Sequence, residues 1–231
     1  VVVDPAYAIE PYLETADREG LRIVRVLETH NHADHVSGHG RLALERDVPV
    51  AIHELADVAY PCKTLADGDE VLVGSIPIRV LHTPGHRPEH CCFLVEGHLL
   101  TGDSLLIGDA ARPDLAVEAR EGAEGLFHSL RRLVELGDGV EVYPGHVAGS
   151  LCGKGMSSKA STTIGFERRF NKALADDDVA LFVAESTGIS TPRPPNMQRI
   201  IELNRGAFVG AQDVPRELDA PPAGAQILDV R

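Results

Sequence analysis

Apolar and polar positions along the first two thirds of the chain switch repeatedly between strand-like and helix-like periods. "LRIVRVLE" (residues 21–28) reads as a strand, "VSGHGRLALERD" (36–47) as a helix and "VPVAIH" (48–53) as a strand again, which is βαβ order. Then "DGDEVLVGSIPIRVLHT", "CCFLVEG" and "HLLTGD" give short β-runs separated by Gly and Asp turn signals, as in a meander. A helix is predicted over 121–138, where Leu126, Leu130, Leu133 and Val134 share one face and Gly137 and Gly139 end it; the strand "VEVYPGH" follows. From about residue 157 the pattern turns helical, through "SSKASTTIGFERRFNKAL", "DVALFVAES" and, past "TPRPPN", "NMQRIIELNR". These helices would cover a face of a mixed sheet, so the expected class is α/β.

At 231 residues the chain is long enough for one large domain, placed at 1–218. Residues 219–231, "DAPPAGAQILDVR", read as a linker running into a new strand. The chain opens on Val1 in mid-strand, so a strand is expected upstream. A formal charge of -13 argues against nucleic acid or an anionic membrane as partner, because both reward clustered Lys and Arg. No apolar run is long enough to span a bilayer, and the first residues do not form a signal peptide. Cys62, Cys91, Cys92 and Cys152 lack C-x-x-C spacing and read as free thiols of a reducing cytoplasm, the expected compartment.

The chemistry is concentrated in "THNHADHVSGHG" (29–40), directly after the first long strand run. Further ligand-type residues close later strand runs: His86 in "HTPGHRPEH", Asp103 in "LLTGDS" and His146 in "VYPGH". In an α/β protein such strand ends converge on one edge, so His30, His32, Asp34, His35, His86, Asp103 and His146 could share one pocket. Imidazole and carboxylate suit Zn, Fe or Mn, and a set without cysteine argues against a soft, thiolate-bound ion. Singly, each residue has an ordinary explanation as a solvated or turn-forming side chain; the recurrence argues for a metal. His39, His53, His82, His90, His98 and His128 are read as surface or supporting groups, His90 being the least settled.

"THNHADH" with "TPGH", "GDS" and "PGH" resembles the motif series of the metallo-β-lactamase superfamily, from about residue 24 to 146. The resemblance implies an αββα sandwich of two mixed sheets flanked by helices, with the site at the sheet edges. Hydrolases, nucleases and oxygenases share that scaffold, so it does not fix the reaction. "LLIGDAARPDL" (105–115) is similar to a segment of persulfide dioxygenases, or sulfur dioxygenases. "AGSLCGKGMSSKASTTIGFERRFN" (148–171) is similar to one in members fused to rhodanese domains, and "QILDVR" resembles the opening strand of such a domain.

The resemblance to this dioxygenase group implies one Fe(II) per chain held by His30, His86 and Asp103. Asp34, His35 and His146, with His32, would support these ligands from behind. The reaction implied is oxidation of a low-molecular-weight thiol persulfide by O2 to sulfite and thiol, with a rhodanese domain as partner in cis or trans. Arg112 would anchor a substrate carboxylate or phosphate, unless it pairs with Asp114 or a loop carbonyl. Cys152 would relay a persulfide, or be a small buried residue. Ala111 stands where the similar segment has Gly. The Tyr that glutathione-using relatives carry after the last motif histidine is absent from "HVAGS", so the carrier thiol stays open, as does a homo-oligomeric state. The alternatives are a two-zinc thioesterase of the hydroxyacylglutathione hydrolase type, in which His32, Asp34, His35 and His146 become metal ligands, and a non-catalytic metal-binding scaffold. A nuclease is disfavoured by the charge.

Overall fold

The computed structural model describes residues 1–211 apart from 115–117, 149, 151, 154, 176, 189–192, 194 and 195. The linker and rhodanese start expected at 219–231 lie outside the described residues. One sheet sets β1 (Val2–Val3), β2 (Val26–Leu27), β3 (Val50–His53) and β4 (Lys63–Leu65) side by side in that order, every pairing parallel. Parallel neighbours need crossovers, supplied by α1 (Glu10–Arg18) and α2 (His39–Arg46). The chain then runs through β5 (Glu70–Val73), β6 (Ile76–His82), β7 (Cys91–Val95) and β8 (His98–Gly102). A small hairpin of β9 (Leu105–Leu106) and β10 (Asp109–Ala110) follows, then α3 (Ala119–Val134), β11 (Glu141–Pro144) and β12 (Thr162–Thr163). The second sheet has the order β12-β11-β8-β7-β6-β5 and is mixed, with β11 parallel to β8 and its other pairings antiparallel. Among the described residues three further α-helices follow: α4 (Ile164–Phe170), α5 (Val179–Thr187) and α6 (Met197–Arg205).

Period-two alternation makes each inner strand serve two cores. Cys91 packs between the sheets with Leu27, Ala51, Val80 and Phe93, whereas its neighbour Cys92 points outward to Leu126 and Leu130 of α3 and Phe182 of α5. On the far side, Ile9 of the α1 entry and Leu42 of α2 cover Val26 and Val50. The layers are thus helix, sheet, sheet, helix, the expected αββα sandwich. Burying each such Leu or Phe contributes about 1.5–3 kcal/mol. Helix α3 lies close to the loop after β6 because that loop has Gly85, at φ +148°; a Cβ there would come 2.5 Å from the Leu126 Cα.

Two elements differ from expectation. Only Val26 and Leu27 of the run 21–28 are in the ladder, paired with β1 on one side and β3 on the other; Leu21 is 67% exposed. The run from 157 begins as a strand: Thr162 and Thr163 pair antiparallel with Val142 and Glu141. The helix starts at Ile164, capped by the Thr163 side chain, which accepts from the Phe166 N–H. No described helix is long and apolar enough to cross a membrane.

Candidate metal centre

The C-terminal ends of β2, β6, β8 and β11 open onto one edge, and His30, His86, Asp103 and His146 follow them. One ligand atom each from His30, His86 and Asp103 lies within 4.8 Å of the other two. All three side chains are at most 2% exposed.

Neighbouring hydrogen bonds fix which ring nitrogens carry protons. Asp4 accepts both the N–H and the hydroxyl proton of Thr29, at 2.7 and 2.8 Å. With its proton so committed, Thr29 Oγ1 can only accept from His30 Nδ1, 2.8 Å away. His86 Nδ1 donates to the main-chain carbonyl of Arg112 at 2.9 Å. Each ring therefore presents a bare Nε2 to the centre. Burial, the largest influence on both, holds the two imidazoles below the ordinary histidine range and so neutral.

Asp103 completes the set. Its Oδ1 accepts from His146 Nδ1 at 2.6 Å, while its buried Oδ2 has no hydrogen-bond partner and lies 3.5 Å from His86 Nε2 and 3.9 Å from His30 Nε2. Burial opposes its ionisation, but the charge and hydrogen bond of His146 outweigh that and hold the carboxyl below its usual range. Three lone-pair donors thus face one point with no proton between them. That arrangement is repulsive by itself and is relieved by a cation, so the residues fit a metal ion.

The other motif residues form a different cluster. His146 lies between two carboxylates, its Nε2 2.8 Å from Asp34 Oδ2, and Asp34 Oδ1 is 3.1 Å from His35 Nδ1. Burial disfavours the His146 charge, yet Asp103 and Asp34 more than compensate and the imidazolium is strongly favoured. Asp34, His35 and His146 side chains are 27%, 34% and 19% exposed, so this side is open to solvent. His32 falls outside the triad: its Nε2 sits 3.2 Å from both Asp4 Oδ1 and Glu28 Oε2, and its Nδ1 is buried without a hydrogen-bond partner.

The Arg112 guanidinium makes a bidentate pair with Asp114 at 2.6 and 2.8 Å, the alternative its sequence context left open. Its main chain reaches the centre instead, through the carbonyl on His86 and an N–H to the Cys152 carbonyl at 2.9 Å. Ala111 is buried and not in the left-handed region, so the departure from Gly causes no strain there. Cys152 is buried and its sulfur groups with Asp34 and His146. A cavity of about 300 Å³ lies beside the same loop, lined by Arg112, Lys172 and Phe182 among others, and none of the seven motif residues lines it.

Several residues that hold the centre were not singled out by motif. His90, fully buried, accepts the Asp103 N–H at Nε2 (3.0 Å), which obliges its Nδ1 to donate to Thr83 Oγ1 (2.8 Å). Burial pushes its pKa down to about 3. Gly102, at φ +45°, makes that contact possible, since a Cβ would stand 2.6 Å from Thr29 Oγ1 and 2.8 Å from His90 Nε2. Asn204 of α6 accepts from the Ser37 N–H and donates to the carbonyls of His32 and His35, and Glu89 accepts from the Asn31 N–H. Both clamp the backbone of the His30–His35 loop. The "PEH" after His86 was the only sequence signal for Glu89 and His90; Asn204 had none.

Residues 1–146 match the family model of the metallo-β-lactamase superfamily, and the chain belongs to that superfamily. A metallo-β-lactamase from Staphylococcus aureus subsp. aureus COL superposes with a TM-score of 0.83 at 30% identity, over 88% of this chain and 64% of that one. ETHE1 from Myxococcus xanthus superposes with a TM-score of 0.79 at 29% identity, over 88% and 86%. Hydroxyacylglutathione hydrolase of Idiomarina loihiensis is 36% identical over 112 residues, 48% of this chain; the chain spans 44% of that relative's length. The superfamily is metal-dependent, and similar members are described as zinc-dependent and as di-iron-bound.

Proposed function

We propose that the chain is a non-haem Fe(II) persulfide dioxygenase, oxidising a low-molecular-weight thiol persulfide with O2. The observation that carries this reading is the triad itself: two tautomer-fixed imidazoles and one carboxylate oxygen, closed as a set without the remaining motif residues. A two-His, one-carboxylate face is the arrangement of non-haem oxygenases, which leaves positions for dioxygen and a substrate sulfur. Iron(II) bound there would supply the one-electron chemistry that dioxygen needs to react with a closed-shell sulfur compound. Overall, RSSH, O2 and water give RSH, sulfite and two protons, the terminal sulfur being oxidised and dioxygen reduced.

The chain's own residues orient and exclude. Thr29 with Asp4, and the Arg112 carbonyl, keep protons off the two ligand nitrogens; His146 occupies Asp103 Oδ1, so Oδ2 alone is offered to the ion. The near-complete burial of the triad keeps bulk water from its inner side. The similarity of "ARPDL" and of 148–171 to dioxygenase segments supports the reading, and so does the even coverage of the Myxococcus structure. The carrier thiol and a rhodanese domain in cis or trans belong to the same proposal, with Cys152 a candidate relay between them.

The second reading is a two-zinc thioesterase. It draws support from the hydroxyacylglutathione hydrolases among the relatives and from the partnerless His32 Nδ1, a spare buried donor. Metal analysis of anaerobically purified protein, beside an oxygen-electrode trace on adding glutathione persulfide and then other persulfides, separates the two. About one iron per chain with oxygen uptake and sulfite is expected. Two zincs, no oxygen uptake and cleavage of a glutathione thioester would overturn the proposal.

A further inference from the structure

Two arginines flank the triad ligand His86, and the structure commits them differently. Arg112 supplies the carbonyl that fixes the ring, and its guanidinium is bidentate on Asp114. Arg87 follows His86 directly in the chain, and its side chain is only 7% exposed. Its Nε donates to Glu89 Oε1 at 3.1 Å, and among the described residues neither Nη1 nor Nη2 has a hydrogen-bond partner. The Nη donors, the forked end of the guanidinium, are therefore uncommitted.

Neighbouring contacts place this cation. Glu89 Oε1 also accepts the Asn31 N–H at 3.1 Å, and Asn31 stands between His30 and His32. The Arg87 carbonyl accepts from the N–H groups of Gly85 and His90 and so closes the turn that carries His86. The guanidinium is thus tied to both loops that bring imidazoles to the triad. Burial first, and then nearby charges that include Arg87, hold His30 and His86 below the ordinary histidine range. A buried cation is costly unless it is paired and fully hydrogen-bonded, and here one shared carboxylate oxygen meets one donor. An anionic group on a ligand would complete the set.

We propose that Arg87 anchors a carboxylate of the substrate, and that the carrier thiol is a small thiol acid. The inference rests on the reading that the triad binds a persulfide through sulfur. It moves the anchoring role from Arg112, whose fork is occupied, to Arg87, whose fork is open. The planar end of a guanidinium takes a carboxylate through two parallel hydrogen bonds. Glu89 beside it leaves room for one negative charge, so a carboxylate fits better than a phosphate dianion.

The test is anaerobic calorimetry on the iron-loaded full chain with the product thiols as probes. Mercaptoacetate, 3-mercaptopropionate and 4-mercaptobutyrate are compared with 2-mercaptoethanol, which lacks the carboxylate. The best of the three acids should bind at least about tenfold more tightly than 2-mercaptoethanol. Replacing Arg87→Gln together with Glu89→Gln removes both charges and leaves no buried carboxylate alone; it should bring the preference to within about threefold while iron content is kept. Arg112→Gln should retain the preference. Equal binding of acid and alcohol by the wild type overturns the anchor, and so does a preference that survives the double substitution or vanishes in Arg112→Gln. If the double variant does not fold, Arg87→Lys decides: a point charge without the fork should lose most of the preference, and full retention overturns the proposal. Oxygen uptake with persulfides but no preference for acids would leave the dioxygenase reading standing and remove this one. A preference without oxygen uptake, on an iron- or zinc-loaded chain, would do the reverse.

Discussion

The two halves of the candidate metal centre are built from the same side-chain types yet hold them in opposite charge states. In the buried half, His30 and His86 each give their far nitrogen's proton to one neutral acceptor, a threonine hydroxyl or a main-chain carbonyl. Burial keeps both rings neutral, and a bare nitrogen points inward. In the open half, carboxylates flank both nitrogens of His146, so the ring is charged and has no lone pair to offer until it loses a proton. What makes a histidine ready for a metal is therefore the partner on its other nitrogen and the water around it, more than its place in a motif.

The harshest way to break this comparison is to remove the residue both halves share. Asp103→Ala is expected to abolish iron retention and oxygen uptake together, measured by metal analysis after desalting and by oxygen electrode; wild-type activity in this variant would sink the ligand assignment. His90→Phe asks less. It leaves all three ligands but strands the buried Asp103 N–H, and should weaken iron binding roughly 10–100-fold in competition with a chelator. His90→Gln, which keeps an acceptor, should recover part of that loss. Unchanged affinity in His90→Phe would mean that the Asp103 backbone needs no such anchor.

Arg112→Ala separates side chain from main chain. Because the guanidinium is spent on Asp114 while the carbonyl serves His86, the variant should lose about 1.5–3 kcal/mol of stability. Some iron should go with it, and the apparent KM for persulfide should change less. A raised KM with full iron content would return Arg112 to the role of substrate anchor.

The convergence of the candidate ligands was legible from residue type and place: His30, His86, Asp103 and His146 each close an apolar strand run, and the fold brings strand ends together. What could not be read was the support. Asn204 reaches the His30–His35 loop from a helix well over a hundred residues away, and a lone Asn on an amphipathic helix carries no mark of that task. Arg112 drew notice for its charge, whereas its carbonyl, which any residue has, touches the ligand. The shortening of the strand at 21–28 has a similar origin: periodicity reports which faces are apolar, but not how many of those residues find a ladder partner, and here only Val26 and Leu27 pair with β1 and β3.

The smallest expected effect lies in the open half. In the metal-free protein, His146 has a raised folded pKa, so its contribution to stability is fully present below the unfolded value near 6.5 and is lost as pH rises through the folded one. Asp34, opposed by burial but held down by His146 and His35, contributes above an unfolded value near 3.9 and loses that contribution as pH falls. Their joint contribution therefore spans the window from about pH 4 through neutrality. Because both side chains are partly solvated, Asp34→Asn should cost at most about 1 kcal/mol there. Urea unfolding of the metal-free wild type and variant across pH should show the two curves converging in acid. Iron affinity at the triad should hold within a few-fold. A loss as large as that of His90→Phe would show that the halves are coupled through Asp103, and the contrast between them would then be one of solvent exposure alone.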